Sequence, residues 1–250
     1  MAPVGWAGIL LPVTAPSLPP RLSVVIPVYN EEATLREIVA AVRAVPIDKE
    51  VVLVDDGSRD NSRAIIAELG RLPDVRVALH PENRGKGAAL RTGFQMARGE
   101  IVVVQDADLE YDPSEYPHLI APIVRGDADV VYGSRYLVDE RDPLRPRDRF
   151  LHYLVNRGLT WFSNLFTGLN LTDMETCYKC FRRSVLTDVV IESRRFTVEP
   201  ELTAKIARLP VRIWEIPIRY RGRSFAEGKK IGWRDGLAAL WAILRFRFRA

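Results

Sequence analysis

The chain has 250 residues, a formal net charge of +4, 47% hydrophobic and 27% charged side chains, and two cysteines. This balance excludes a disordered, collagen-like or low-complexity chain and predicts one folded α/β domain. Two cysteines cannot form a disulfide framework, which favours a reducing compartment, and no apolar run reaches the roughly 18–20 residues that span a bilayer, so we expect no membrane crossing.

The first 20 residues are uncharged and contain five prolines. They lack the basic start and long apolar core of a secretory signal, so we predict a mobile leader. From Arg21 onward, short Val- and Ile-rich runs alternate with amphipathic segments, which is typical of a doubly wound, mostly parallel sheet flanked by helices. The predicted strands are Leu22–Ile26, Glu50–Val54, Val75–Leu79, Ile101–Gln105 and Val130–Tyr132. The predicted helices are Glu31–Val45, Arg63–Leu69, Lys86–Ala97 and Ser114–Val124, the last interrupted by two prolines.

Beyond residue 135 the alternation weakens, and the remainder is interpreted as the acceptor side of the same domain. The predicted elements are an aromatic-rich helix at 148–168, a polar loop around Asp173–Lys179, a helix near Glu199–Leu209, a strand at Val211–Pro217 and a final helix from about Ile231. The first and last of these helices combine aromatic and basic residues, which favours a position at a membrane interface. The alternative is that both helices only pack on the sheet.

The basic residues are concentrated at the end of the chain. Residues 219–250 contain nine Lys or Arg and two acidic residues, a net charge of +7, which leaves −3 for residues 1–218. This distribution predicts an anionic partner, either phosphate groups or a membrane surface, with a solvated basic face as the alternative. No recognition motif for nucleic acid accompanies the charge, so we expect no nucleic-acid partner.

The strongest candidate for chemistry follows the fourth predicted strand. Asp106, Asp108 and Glu110 alternate along the chain, and in an extended backbone their side chains would share one face. Three converging carboxylates need a cation between them, and hard oxygen ligands suit Mg²⁺ or Mn²⁺ bridging to substrate phosphates. The alternative is an acidic, solvated turn.

Polar residues also follow the first two strands, at the same edge of the predicted sheet. Asp55 or Asp56 could accept hydrogen bonds from a nucleoside, and Tyr29 could pack on its base, although turn formation explains the acidic pair equally well. Residues 83–87 resemble a phosphate cradle at a helix start, without the spacing of an ATPase P-loop. The Cys-x-x-Cys at 177–180 is interpreted as incidental, because zinc would need further ligands and the three histidines are scattered.

Five short motifs occur in order along most of the chain, from about Leu22 to Trp233. They are Ser23–Glu31, Val54–Ser58, Gly85–Gly87, Asp106–Asp108 and Gly133–Tyr136. Together they resemble family 2 glycosyltransferases of the GT-A fold, specifically the polyprenyl-phosphate sugar transferases such as the dolichol-phosphate mannose and glucose synthases. The resemblance implies a Rossmann-like, mostly parallel central sheet with C-terminal amphipathic interface helices. It divides the domain into a nucleotide-sugar half at 21–135 and an acceptor and membrane-facing half at 136–250.

The resemblance also implies roles for matching residues. The UDP- or GDP-linked sugar would be held by Pro27, Tyr29, Glu31, Asp55, Asp56, Lys86, Asp106 and Ala107, with Arg223 and Lys230 from a basic loop that closes over the diphosphate. Mg²⁺ or Mn²⁺ would be held by Asp106, Asp108 and Glu110. The lipid phosphate would meet Arg135 and a second group, for which Arg149, His152 and Arg157 compete, and the spacing favours His152. Asn156 is a further candidate for binding the acceptor. The candidate catalytic residues are Asp106, Asp108, Arg135, Asp173 and Glu175.

Three hypotheses follow for the function. The first is a metal-dependent, inverting transfer of a hexose to a polyprenyl phosphate at the cytoplasmic face of the membrane, with peripheral attachment or a membrane-protein partner. A phosphate acceptor is already anionic and needs positioning more than a base. The second is transfer to a hydroxyl acceptor, which would need a general base such as Asp173, Glu175 or Glu199. The third is a non-catalytic nucleotide-sugar-binding or membrane-scaffold module.

Overall fold

In the computed structural model, which describes residues 22–138, 150–193, 197–222 and 233–248, seven strands form one sheet. Its strands are β1 (Leu22–Val28), β2 (Lys49–Asp55), β3 (Val75–Leu79), β4 (Ile101–Val104), β5 (Val130–Ser134), β6 (Lys179–Arg182) and β7 (Ile213–Pro217). Their order is β3-β2-β1-β4-β6-β5-β7. All neighbours are parallel except β6, which runs antiparallel to both β4 and β5. The predicted mostly parallel sheet is therefore confirmed.

Helices flank the sheet, and most of them pack an apolar face against it, whereas α5 and α8 pack mainly on each other and on α7. They are α1 (Leu35–Ala44), α2 (Ser62–Leu69), α3 (Lys86–Met96), α4 (Tyr116–Val124), α5 (Phe150–Thr167), α6 (Arg183–Thr187), α7 (Val198–Ile206) and α8 (Trp233–Phe248). In α1, Leu35, Ile38, Val39 and Val42 are buried, at the spacing of one helical face. A short 3₁₀ turn over Pro113–Glu115 precedes α4, which continues through Pro122.

The structure corrects the prediction for the segment after Asp173. The polar loop was expected to continue through Lys179, but residues Lys179–Arg182 form β6, inserted between β4 and β5. Cys180 pairs with Val103 on one side and Val131 on the other. Four residues are too few to show a period, which is why the pattern did not predict this strand. Both cysteine thiols are free and buried.

Other boundaries differ by a few residues. Helix α1 begins at Leu35 because the carbonyl of Glu31 accepts the N–H groups of Thr34 and Leu35, so residues 31–34 form a turn. The predicted leader at 1–20 and the predicted helix start at Ile231 lie outside the described residues. Among the helices described, none combines the length and the apolar character that crossing a membrane requires.

A second, smaller apolar cluster joins the helices of the acceptor half. Leu159 of α5 and Met174 pack against Ala239 and Ile243 of α8. On the same face, α8 contacts Ala204 of α7 through Ala242 and Phe246. Helix α8 is therefore fixed to the domain by one apolar face, and the positions of α5 and α8 are coupled.

Candidate functional site

The candidate site lies at the carboxyl edge of the parallel strands, where the predicted polar residues of β1, β2 and β4 meet. The Asp56 carboxylate, just after β2, accepts the N–H groups of Arg84 (3.0 Å) and Gly85 (2.6 Å) and contacts Nδ1 of His80 (2.8 Å). The buried Asp55 carboxylate accepts from the Ser58 N–H and from Nε of Arg63 at 2.7 Å. Both carboxylates thus hold the loops that shape this edge.

The turn between β2 and α2 allows the 82–85 loop to approach closely. Gly57 has a φ of 74°, and a Cβ there would overlap the backbone of Glu82 and Asn83. Gly85, with a φ of 91°, precedes the first residue of α3, Lys86. These conformations favour glycine, and the second aims the start of α3 at the site.

Lys86 connects the donor half of the site with the acceptor half. Its Nζ lies 2.8 Å from Oδ1 of Asp106 and 3.2 Å from Oε1 of Glu199 on α7. Burial alone would lower the pKa of Lys86, but the nearby carboxylates raise it well above its usual value. The site therefore contains a permanently charged, shielded cation beside the end of β4.

The prediction for Asp106, Asp108 and Glu110 assumed an extended backbone after β4, but the structure has a turn there. Leu109 has a φ of 62°, Asp108 accepts the N–H of Glu110 (3.1 Å), and Glu110 accepts from the Tyr220 hydroxyl (2.8 Å). Among the residues that the structure describes, no three His, Cys, Asp or Glu side chains are grouped so as to hold a metal ion. Asp106 and Asp108 are partly exposed oxygen donors, which fits Mg²⁺ or Mn²⁺ because such ions often use one or two carboxylates and complete their shell with substrate phosphates.

Arg135, directly after β5, is held in one orientation. It forms a bidentate ion pair with Asp173, with Nε at 2.7 Å and Nη2 at 2.8 Å from the two oxygens, and its backbone N–H also donates to that carboxylate. Its guanidinium lies over the rings of Tyr136 and Tyr220. Burial opposes the charge, but Asp173 raises the pKa of Arg135 well above its usual value. Asp173 is 0% exposed and is thus occupied as the partner of Arg135.

Two further charged groups belong to the loop that enters β6 and to the start of that strand. Lys179 is 0% exposed and donates to Glu199 and to the carbonyl of Thr176. Glu175 is partly exposed as a residue, but its Oε1 is covered and has no hydrogen-bond partner among the described residues. Burial, followed by repulsion from Glu199, raises the pKa of Glu175 to about 7.

Some of the remaining predicted residues can be placed in the structure, and others cannot. Pro27 in β1, Tyr29 and Glu31 after it, and Ala107 in the acidic turn lie at the same edge. On α5, Asn156 is half-buried and Arg157 donates to the carbonyl of Thr172 (2.9 Å). The others cannot be placed as site groups: Arg149, Arg223 and Lys230 lie outside the described residues, and for His152 only the helical backbone is described. All the assigned roles stay predictions.

Several residues that shape the site were not predicted from the sequence. Glu215 of β7 accepts the N–H groups of Thr172 and Asp173, which holds the loop that carries the partner of Arg135. His80 bridges Asp56 and Thr92, and Tyr220 links Glu110 to Arg135. Their partners are 12 to 110 positions away in sequence, so no local pattern signals these contacts.

Curated relatives resemble most of this chain. An undecaprenyl-phosphate 4-deoxy-4-formamido-L-arabinose transferase of Pseudomonas fluorescens strain Pf0-1 is 33% identical over 215 residues, which are 83% of this chain and 59% of the relative. The protein of the same name from Pseudomonas paraeruginosa strain PA7 is 36% identical over 217 residues, 83% of this chain and 60% of the relative. The chain thus spans about three fifths of the length of these relatives.

Among solved structures, the glucosyl-3-phosphoglycerate synthase of Mycobacterium tuberculosis, crystallised with Mn²⁺, UDP and phosphoglyceric acid, superposes with a TM-score of 0.70 at 21% identity. The match covers 92% of this chain and 80% of that protein and confirms the GT-A fold. The family model described as glycosyl transferase family 2 matches residues 23–190, about two thirds of the chain. By sequence and by fold, the chain belongs to glycosyl transferase family 2.

Proposed function

We propose that this chain is an inverting glycosyltransferase that moves a sugar from a nucleotide-sugar to a polyprenyl phosphate at a membrane surface. The observation that carries the proposal is the pair of shielded cations, Lys86 and Arg135, held at one edge of the sheet by carboxylate partners. Two fixed cations suit a reaction in which a leaving diphosphate and an attacking phosphate must be brought together. The named acceptor of the curated relatives, undecaprenyl phosphate, supports the lipid assignment.

On the donor side, negative charge develops on the diphosphate as the bond to the sugar breaks. Lys86 would stabilise this charge, since it lies at the start of α3, where backbone N–H groups would also face the diphosphate. Asp106 and Asp108 would hold Mg²⁺ or Mn²⁺, which supplies further charge neutralisation when bound. The nucleoside would lie over the ends of β1 and β2, beside Pro27 and Tyr29, and the basic loop with Arg223 and Lys230 would cover the diphosphate.

On the acceptor side, Arg135 would orient the phosphate of the lipid. Its planar guanidinium is fixed by Asp173 and by two aromatic rings, so little side-chain entropy would be lost on binding. The phosphate is anionic at neutral pH, and the attack would therefore need orientation and no general base. Arg149, His152 or Asn156 would supply the second contact.

Two exposed apolar stripes support a position at the membrane surface. Helix α5 presents Leu154, Trp161 and Leu165, and α8 presents Leu237, Trp241, Leu244 and Phe248, each stripe at helical spacing. Trp161 is 67% and Phe248 77% exposed, so these side chains do not pack on the sheet. The ring of Phe248 contacts that of Phe166 on α5, which brings the end of the α8 stripe close to α5, and the exposed Arg247 is available to anionic headgroups.

The activity is tested by incubating the purified chain with undecaprenyl phosphate, Mg²⁺ and a panel of UDP- and GDP-sugars. We expect an acid-labile sugar-phospholipid from at least one donor. Lys86→Met should lower turnover by a factor of about 100 to 1,000, because it removes a charge aimed at the leaving group. Lys49→Met is the matched control, because Lys49 is the first residue of β2 and lies at the end of that strand away from the site. Donor turnover without any lipid product would reject the phosphate acceptor.

The membrane contact is tested separately by sedimentation with phosphatidylglycerol vesicles. Trp161→Ala combined with Trp241→Ala should weaken vesicle binding by about tenfold or more, because two large interfacial rings are lost. Trp214→Ala, an exposed tryptophan on the edge strand β7, should leave binding unchanged. Equal losses in the two variants would reject the stripes as the membrane contact.

A hydroxyl acceptor is the second candidate, and the unpartnered oxygen of Glu175 favours it. A hydroxyl must lose its proton, so transfer would depend on an ionised carboxylate. Glu175→Gln should then abolish transfer while nucleotide-sugar binding persists. A fully active Glu175→Gln variant would exclude Glu175 as the base.

A further inference from the structure

Two site carboxyls, those of Glu175 and Glu199, have a covered oxygen without a hydrogen-bond partner among the described residues. Glu199 forms ion pairs with Lys86 and Lys179, whereas Glu175 forms none with the described residues. It lies two positions after Asp173 in the loop that enters β6, and its Oε1 is covered without a partner there. A covered carboxyl oxygen without a hydrogen bond is costly, and such groups in native proteins call for an explanation. A neutral carboxyl is one such explanation, because the covered oxygen then carries no charge, and the part of this partly exposed residue that remains accessible can donate a hydrogen bond to a ligand.

The charges that face Glu175 come from four elements. They are Arg135 after β5, Asp173 in the same loop, Lys179 on β6 and Glu199 on α7, with Lys86 and Asp106 beyond Glu199. Both nearby cations are already occupied, Arg135 by Asp173 and Lys179 by Glu199. An ionised Glu175 would therefore add a negative charge that neither of these two cations is free to balance. This agrees with its raised pKa of about 7, at which half of the molecules carry the proton at neutral pH.

A phosphate bound at Arg135 would change this balance further. Its negative charge opposes ionisation of a neighbouring carboxyl, so binding would favour the protonated form of Glu175. A protonated carboxyl donates one hydrogen bond, and phosphate oxygens are strong acceptors. Two of the N–H groups of Arg135 are already paired with Asp173. A second hydrogen-bond donor from Glu175 would therefore help to orient the bound phosphate.

We infer that Glu175 binds the acceptor, its neutral carboxyl donating a hydrogen bond to a non-attacking oxygen of the acceptor phosphate. This inference rests on the proposed function and deepens it, since a hydroxyl acceptor would need the same group ionised. No bond of the lipid phosphate is made or broken in the step: above neutral pH, the Glu175 carboxylate takes one proton from a buffer acid as the phosphate binds, which forms the carboxyl O–H bond and leaves the buffer's conjugate base.

The test measures the number of protons that the chain takes up when a phosphate binds. Calorimetric titration of the chain with farnesyl phosphate at pH 8, in buffers of different ionisation enthalpy, gives the protons taken up per phosphate bound. The wild type should take up close to one, because about nine tenths of the free carboxyl is ionised one unit above its pKa. Glu175→Gln should take up almost none and keep its affinity within about threefold, since the amide donates without titrating. Glu68→Gln, an exposed carboxyl on α2, should behave as wild type.

The pH dependence of affinity gives a second readout. Between pH 7 and pH 9 the wild type should lose at least about tenfold in affinity for farnesyl phosphate, while Glu175→Gln should change by less than about threefold. Glu175→Ala, which lacks a donor, should bind about tenfold more weakly than Glu175→Gln at pH 7. A purely structural role for Glu175 would weaken binding equally at all pH values.

Two results would overturn the inference, and they are distinguishable from failure of the proposed function. Equal proton uptake by wild type and Glu175→Gln, or loss of phosphate binding in a folded Glu175→Gln, would remove the role of Glu175 alone. If the wild type bound no farnesyl phosphate between pH 6 and pH 8, the phosphate acceptor itself would be rejected.

Discussion

The two halves of the site edge are built by different means. In the donor half, the carboxylates of Asp55 and Asp56, at and just after the end of β2, accept mainly from main-chain N–H groups. Asp56, for example, accepts from Arg84 and Gly85. In the acceptor half, ion pairs join side chains of separate elements, as in Arg135–Asp173 and Lys179–Glu199. The structure of the donor edge therefore depends on the conformation of its loops. The structure of the acceptor edge depends on buried ion pairs between residues that are far apart in the chain.

Asp173→Asn removes a buried ion pair of the acceptor half and should have the largest effect on the free energy of unfolding. It leaves the guanidinium of Arg135 buried without a counter-charge, which typically costs about 3–5 kcal/mol. Urea unfolding measures the change in the free energy of unfolding. Glu68→Gln, which breaks an exposed pair with Arg36, should leave the midpoint almost unchanged. Similar shifts in the two variants would mean that the buried pair does not support the acceptor half.

Gly57→Ala attacks the donor half through its backbone. The substitution combines an unfavourable φ of 74° with overlap against the backbone of Glu82 and Asn83, so a loss of at least about 2 kcal/mol is expected. Gly126→Ala is the matched control, since Gly126 has a φ of 79° but open space around its Cα, and it should cost about 1 kcal/mol. Thermal or urea unfolding compares the two. An equal cost would show that the close approach of the 82–85 loop is unimportant.

Tyr220→Phe tests the contact between the two halves and should have the smallest effect. The variant keeps the ring over Tyr111 and beside Arg135 and loses only the hydroxyl bond to Glu110, at a cost of about 1 kcal/mol. Tyr220→Leu also loses both ring contacts and should be the more damaging variant in urea unfolding. If the two variants were equivalent, the ring contacts would contribute nothing.

Much of the fold could be predicted because its signals are local. The Val- and Ile-rich runs of β1, β2 and β4 are buried on both faces, and the apolar spacing of α1 marks one helical face. The same holds for the placement of Asp55, Asp56 and Asp106, because the carboxyl ends of parallel strands meet at one edge. The argument that placed Asp106, Asp108 and Glu110 on one face does not hold, because it assumed an extended backbone where the chain turns at Leu109.

The amino-acid sequence by itself determined the strand and helix alternation, the edge at which polar residues gather and the family to which the chain belongs, because each depends on residue type and short-range spacing. Only the tertiary structure decided the insertion of β6, the pairing of Arg135 with Asp173 and the incomplete hydrogen bonding of Glu175. These features arise from contacts between residues far apart in the chain. Burial then sets the strength and protonation of the charges, and burial is a property of the packed fold.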